Sequence, residues 1–235
     1  MAANGLIVFA RMASRRLPGK ALHDVAGRPL LGRVLDRARR VPNATLVVAT
    51  TAFADDDALA RYAEAEGVSV FRGAAGDVAG RALACARAYG FVRFGRVTGD
   101  SPFMDPGLFT RLLERHEAEG LDLATNVFPR SFPPGLSAEV VATDALARVT
   151  AATSEPCHRE HATKYIYEHA DAFRIANVAA GDGRYAGLHL AVDTADDLAR
   201  ATSIAHRLGP RAATAALDEI AELALAFDAR DRARA

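Results

Sequence analysis

The sequence predicts an α/β protein built on a doubly wound, mostly parallel sheet. Three observations predict it. Strand-like and helix-like segments alternate through roughly the first hundred residues, the rhythm of parallel strands joined by crossover helices. The strand-like segments are continuous apolar runs, as in strands buried on both faces. The charged, Gly/Pro-bearing loops after the first and fourth strands both fall at the carboxyl edge, where such sheets bind ligands.

Residues 5–10 (GLIVFA) read as a buried first strand. A loop over 11–27 follows, and Pro29 opens an amphipathic helix with Leu30, Leu31, Val34, Leu35 and Ala38 on one face. Residues 44–50 (ATLVVAT) predict a second strand, 55–66 a helix stopped by Gly67, and 68–71 a short third strand. A helix over 77–89 begins with an acid, as its positive end prefers. Residues 91–97 predict a fourth strand that runs into TGDSP (98–102), and Asp105 is placed to cap the next helix. The rhythm then changes. Strands are expected at 121–127, 137–142 and 187–192, with a stiff loop at 128–136 carrying Pro129, Pro133, Pro134 and Gly135. Helices are expected at 144–153, 159–169, 195–208 and 213–227, with a frayed tail over 228–235.

Half of the 235 residues are hydrophobic, enough for one core, so a single domain over 1–235 is expected. Formal net charge is zero, which argues against a nucleic-acid surface. No apolar run approaches a membrane span, the amino terminus lacks a leader pattern, and two cysteines make no disulfide framework. A cytoplasmic enzyme without membrane or nucleic-acid partners is the expectation.

Charge is nonetheless concentrated. Residues 11–20 (RMASRRLPGK) hold Arg11, Arg15, Arg16 and Lys20 with no acid. Directly after a buried strand, such a loop can offer cations, backbone N–H groups, the Ser14 hydroxyl and the flexible Gly19 to a phosphate chain. It is neither a Walker loop nor a GxGxxG turn, and a solvated basic turn is the competing reading. Asp100 and Asp193 each follow a predicted strand; either could cap a turn or helix instead. Cys157, His158, Glu160 and His161 miss standard zinc spacings.

The stretch ARMASRRLPGKAL (10–22) resembles the signature loop of the cytidylyltransferases that activate 3-deoxy-manno-octulosonate and sialic acids. It is most similar to their spore-coat polysaccharide branch, with ARMxSxRLPGK. The resemblance continues in order through GRPLL (27–31), FRG (71–73), Asp77-Val78 with Arg81, RVTGDSP (96–102), Thr125-Asn126, PR (129–130), FPPGL (132–136) with Glu139, REH (159–161), YIYEH (165–169) and LAVDTADDL (190–198).

The resemblance implies a Rossmann-like nucleotide-diphospho-sugar transferase fold with an inserted acceptor and dimerisation region near 126–175, and a homodimer. It implies transfer of CMP from CTP to an acidic sugar or related acid, with pyrophosphate released and Mg²⁺ as cofactor. Arg11, Lys20 and Asp100 would be catalytic. Ala10, Arg11, Met12, Ser14, Arg16, Gly19, Lys20, Arg72, Asp77, Thr98 and Asp100 would bind nucleotide; Arg72, Asp77 and Arg81 could instead form a structural ion-pair set. Asp100 and Asp193 would hold the metal, since hard carboxylate oxygens suit Mg²⁺. Asn126, Arg130, Glu139, Arg159 and His161 would hold the acceptor, although Glu139 could equally be an exposed strand residue. No general base is assigned. The alternatives are a glycosyltransferase using a nucleotide-sugar donor on the same fold, and a non-catalytic nucleotide-binding partner.

Overall fold

The structure, a computed structural model, describes residues 3–233 apart from 182, 184 and 186. In the first half, strands β1 (Ala3–Phe9), β2 (Thr45–Thr51), β3 (Ser69–Gly73) and β4 (Phe91–Thr98) alternate with helices α1 (Leu30–Ala38), α2 (Asp57–Ala65) and α3 (Val78–Ala88). Helix α4 (Pro106–Glu119) follows, and the Asp105 carboxylate caps it by accepting from Leu108 N at 3.0 Å. The second half adds β5 (Leu123–Thr125), β6 (Glu139–Ala142) and α5 (Thr143–Ala152). It ends with α6 (Pro156–Glu160), α7 (Lys164–Glu168), β7 (Ile175–Asn177), α8 (Ala195–Leu208) and α9 (Leu217–Arg232).

Among the described residues, seven strands form one sheet in the order β3-β2-β1-β4-β6-β5-β7. The first four are parallel, with Phe9 opposite Thr98 and Ala49. Strand β6 enters antiparallel between β4 and β5.

Side-chain alternation explains why helices cover both faces. Leu6, Val8 and Val48 point to one face, packed under residues of α1, α2, α4, α8 and α9. Ile7, Val47 and Ala49 point to the other, under Ala82, Leu83 and Ala86 of α3 and Leu146 and Val149 of α5. In α1, Leu30, Leu31, Val34 and Leu35 are all fully buried, each worth roughly 1.5–3 kcal/mol of transfer free energy.

Three expectations require correction. Residues 187–192 form no strand: their backbone N–H groups reach loops, Leu190 to the Pro134 carbonyl and Val192 to the Asp100 carbonyl, both at 2.8 Å. Gly135 makes that contact possible, because a Cβ there would lie 2.3 Å from the Leu190 carbonyl carbon. The sheet edge belongs to β7, parallel to β5. The helix expected over 159–169 is two short ones, α6 and α7, separated at His161, whose extended ψ of 84° interrupts the spiral.

Candidate active site

The loop after β1 is folded around the backbone of Met12. The Met12 carbonyl accepts from Ser14 N at 2.9 Å and Gly19 N at 3.0 Å, while Met12 N donates to Asp56 Oδ1 at 2.6 Å. Asp56 is buried and also accepts from the Thr51 amide and hydroxyl. Burial would raise its pKa, but these donors outweigh it and hold the carboxyl below the usual range. In the sequence this anchor is signalled only by the acid run 55–57 just beyond a neighbouring parallel strand. Gly19 takes the left-handed conformation (φ 71°) and turns the chain into a short 3-10 turn, Lys20–Leu22, aiming Lys20 back at the sheet edge.

Lys20 reaches two acids from distant parts of the chain. Its Nζ donates to Asp100 Oδ2 at 2.8 Å, to Asp193 Oδ1 at 2.9 Å and to the Val192 carbonyl at 2.9 Å. The lysine side chain is 15% exposed and each carboxylate 27%. Burial would lower the lysine pKa, yet the two carboxylates overcome that and hold the ammonium above its ordinary value. Asp193 is likewise pulled down: burial opposes ionisation, but Lys20 and then Arg16, whose Nη2 lies 3.0 Å away, prevail.

Local chemistry frees both acids for this role. Asp193 does not cap α8. Thr194 does, in a capping box with Asp197, so the Asp193 carboxylate is left to face Lys20. Asp100 does not cap α4 either, since Asp105 does. The backbone bond from Val192 N to the Asp100 carbonyl ties the two segments together. Gly99 lets the β4 loop lie against β1: its N–H donates to the Phe9 carbonyl at 2.8 Å, and a Cβ would sit 2.7 Å from the Ala10 Cβ.

These groups border a cleft of about 620 Å³. Six cationic side chains line it (Arg11, Arg15, Arg16, Lys20, Arg81 and Arg96) against three acids, Asp100, Glu160 and Asp193. That excess suits a polyanion. Ala10, Ser14, Thr98 and His161 also line it, and Thr98 Oγ1 shares a 2.8 Å hydrogen bond with Ser101 Oγ. Arg11 reaches Glu160 at 3.7 Å. The buried Arg81 donates to the Ala74 carbonyl; burial, reinforced by Arg11, lowers its pKa.

Other candidates are engaged elsewhere. Arg72 secures the β2–α2 connection through Thr51 O (3.0 Å), Phe53 O (2.6 Å) and Asp57 (2.6 Å). Asp77 caps α3 through Gly80 N at 2.7 Å and pairs with Arg159 at 3.2 Å. Arg72, Asp77 and Arg81 therefore form no mutual ion-pair set. Among the acceptor candidates, only His161 borders the cleft. Asn126 pins the 126–138 loop, donating to Leu136 O at 2.7 Å and accepting from Ala138 N at 2.8 Å. Arg130 donates to Ser137 Oγ at 3.0 Å. Glu139 is no exposed strand residue: it is 3% exposed and accepts from Thr163, Tyr167 and Arg96. Burial disfavours its charge, but Arg96 and then the two hydroxyls keep it ionised below the usual range. Arg96 is a further site residue, not among the candidates named from the sequence: strand alternation puts it on the same side of β4 as Thr98.

Among the described residues, no helix is long and apolar enough to cross a membrane, and no group of three or more His, Cys, Asp or Glu side chains could hold a metal. Cys85 is buried, which pushes its thiol up to about 12, and Cys157 is an exposed free thiol.

Comparison with known proteins agrees with this architecture. The chain is 30% identical over 212 residues to the spore coat polysaccharide biosynthesis protein SpsF of Bacillus subtilis, covering 87% of each chain. It is 32% identical over 129 residues to the 3-deoxy-manno-octulosonate cytidylyltransferase of Aeromonas salmonicida, covering 53% of this chain and 50% of that protein. A solved cytidylyltransferase from Leptospira borgpetersenii superposes with a TM-score of 0.88 at 26% identity, covering 99% of this chain and 96% of the other. A family model described as Cytidylyltransferase matches residues 6–226, nearly the whole sheet and both halves of the cleft. The chain belongs to the cytidylyltransferase family.

Proposed function

We propose that the cleft binds CTP together with Mg²⁺ and transfers CMP to an acidic sugar or related acid, releasing pyrophosphate. The observation that carries this reading is the convergence of Lys20, Asp100 and Asp193 beside a cleft lined by five arginines. Two anions must be brought together, and fixed cations offset their repulsion.

The donor set fits Mg²⁺. Two carboxylates are held at the sheet edge by a shared lysine, and Mg²⁺ takes one or two carboxylates with phosphate and water oxygens completing its shell. When bound, the metal supplies Lewis-acid charge to the phosphate oxygens and lowers the pKa of a hydroxyl beside it.

The chain's own groups do the rest. Arg11, Lys20, Ser14 and the loop amides hold the triphosphate; Lys20 exchanges its carboxylate partners for phosphate oxygens as nucleotide enters. An acceptor hydroxyl oxygen forms a bond to the α-phosphorus and releases its proton to water, the bond to the bridging α–β oxygen breaks, and pyrophosphate departs with that electron pair. Thr98 and the loop backbone, on the cleft wall, would take the nucleoside, and His161, also on that wall, would meet the acceptor.

The test is to incubate purified protein with CTP, Mg²⁺ and a panel of sugar acids that includes 3-deoxy-manno-octulosonate and N-acetylneuraminate. CTP- and acid-dependent pyrophosphate release is expected. In a parallel incubation with nucleotide sugars, consumption of the donor without pyrophosphate release would replace this reading with glycosyl transfer.

A further inference from the structure

We infer that Arg96, held by the buried carboxylate of Glu139, is the residue that grips the carboxylate of the acceptor acid. This rests on the nucleotidyl-transfer reading and adds to it a residue for the acceptor side.

Three of the four loop cations already have partners, and the fourth, Arg15, is exposed and belongs to the same loop. Lys20 and Arg16 are paired with Asp100 and Asp193, and Arg11 faces Glu160. All three rise from the segment placed to wrap a triphosphate. Arg81 is buried and tied to the Ala74 carbonyl. Arg96 enters from a different element, the floor strand β4, two residues before Thr98 and roughly 7 Å of strand from it. It lines the same cleft and its side chain is 21% exposed.

Its surroundings are those of a prepared anion site. Glu139 Oε1 accepts from the Thr163 hydroxyl at 2.7 Å and from the Tyr167 hydroxyl, and Oε2 accepts from Arg96 Nη1. A buried carboxylate is tolerated only when fully paired, and here it is. The arginine is not saturated in return. A guanidinium has five N–H donors in a rigid plane; that of Arg96 Nε is buried without a partner among the described residues and closed to a ligand, which leaves the Nη groups to face the cleft. Nη1 alone is fixed on Glu139, which orients the plane while the Nη2 donors are left over. That is how a planar fork is oriented for bidentate recognition of a second carboxylate, which a lysine cannot reproduce. Tyr167 extends the support outward: it also shares a hydrogen bond with Thr125 at 2.9 Å and stacks on Phe128 at 4.9 Å. Glu139 thus acts through Arg96 as a positioning residue.

The experiment measures binding and turnover of 3-deoxy-manno-octulosonate and N-acetylneuraminate at saturating CTP and Mg²⁺, with CTP affinity determined separately. R96A should raise the KM for the acid about 100-fold and leave the KM for CTP within about twofold; R96K should not restore it, whereas added guanidinium should restore part of it. Because R96A strands a buried acid, R96A/E139Q is the companion variant: it should melt close to wild type yet still bind the acid poorly. E139Q alone should raise the acid KM about tenfold without changing CTP affinity. A folded R96A/E139Q protein with wild-type acid affinity overturns the inference, as does a wild-type protein that binds CTP but neither acid. Failure to bind CTP at all strikes the nucleotidyl-transfer reading itself, and the grip falls with it.

Discussion

Lys20 Nζ donates to Asp100 Oδ2 at 2.8 Å across 80 residues of sequence. The cation of the loop after β1 and the acid after β4 are thus neighbours before any ligand arrives. Each offsets the other's desolvation, and each becomes available when a triphosphate with its cation replaces the pairing.

Removing the acid charge should abolish chemistry and spare the fold. D100N is expected to lower kcat by at least about 100-fold with an unchanged melting temperature within a few degrees. Normal turnover in D100N would remove Asp100 from the reaction.

Removing the cation should act on binding and on the two acids. K20A is expected to weaken CTP binding about 10- to 100-fold. It also leaves Asp100 and Asp193 facing each other without their shared partner. Mg²⁺ should therefore raise the melting temperature of K20A more than that of wild type. Unchanged CTP affinity, or no difference in the Mg²⁺ response, contradicts the arrangement.

Gly99 tests the close approach of the β1 and β4 loops. An added Cβ would lie 2.7 Å from the Ala10 Cβ and 3.1 Å from the Phe9 carbonyl oxygen. G99A is expected to cost about 1–3 kcal/mol of stability in denaturant titrations and to displace Asp100. A fully stable, fully active G99A would show that the loops have room to part.

Stability should fall in acid before the carboxylates titrate. Burial, helped by Arg93, pushes His116 down to about 4 from its ordinary 6.5. A lowered histidine pKa means the unfolded chain binds the proton first. Its contribution is complete above pH 6.5 and is lost as pH falls from 6.5 towards 4, by roughly 3 kcal/mol at most. Glu139 and Asp193, also held low, lose their contributions below the carboxylate range. H116L should flatten the stability profile between pH 6.5 and 4; an unchanged slope would assign it to other groups.

Much of this was legible in the sequence because the first half obeys local rules. The apolar run at 44–50 becomes Thr45–Thr51, and the acid before α4 is its cap. The edge strand β7 escaped because it has three residues and no apolar run to announce it. The apolar stretch 187–192 misled for the opposite reason: its hydrophobicity serves burial beneath a loop, with Leu188, Leu190 and Val192 in the core. The basic loop was readable as charge in a small space. The partners of Arg130, Arg159 and Glu139 were not, because Ser137, Asp77 and Arg96 meet them only through tertiary folding. Arg96 needed one more step, the face of β4 on which it lies.

On the proposed reading, two acids and a lysine from separate segments gather around one metal-bound triphosphate. Crystals grown with CTP and Mn²⁺, analysed by anomalous scattering, test it most directly. A single manganese peak coordinated by Asp100 and Asp193 is expected, with Lys20 turned onto a phosphate oxygen. A nucleotide bound with its metal away from both carboxylates, and Lys20 still holding Asp100, would contradict it.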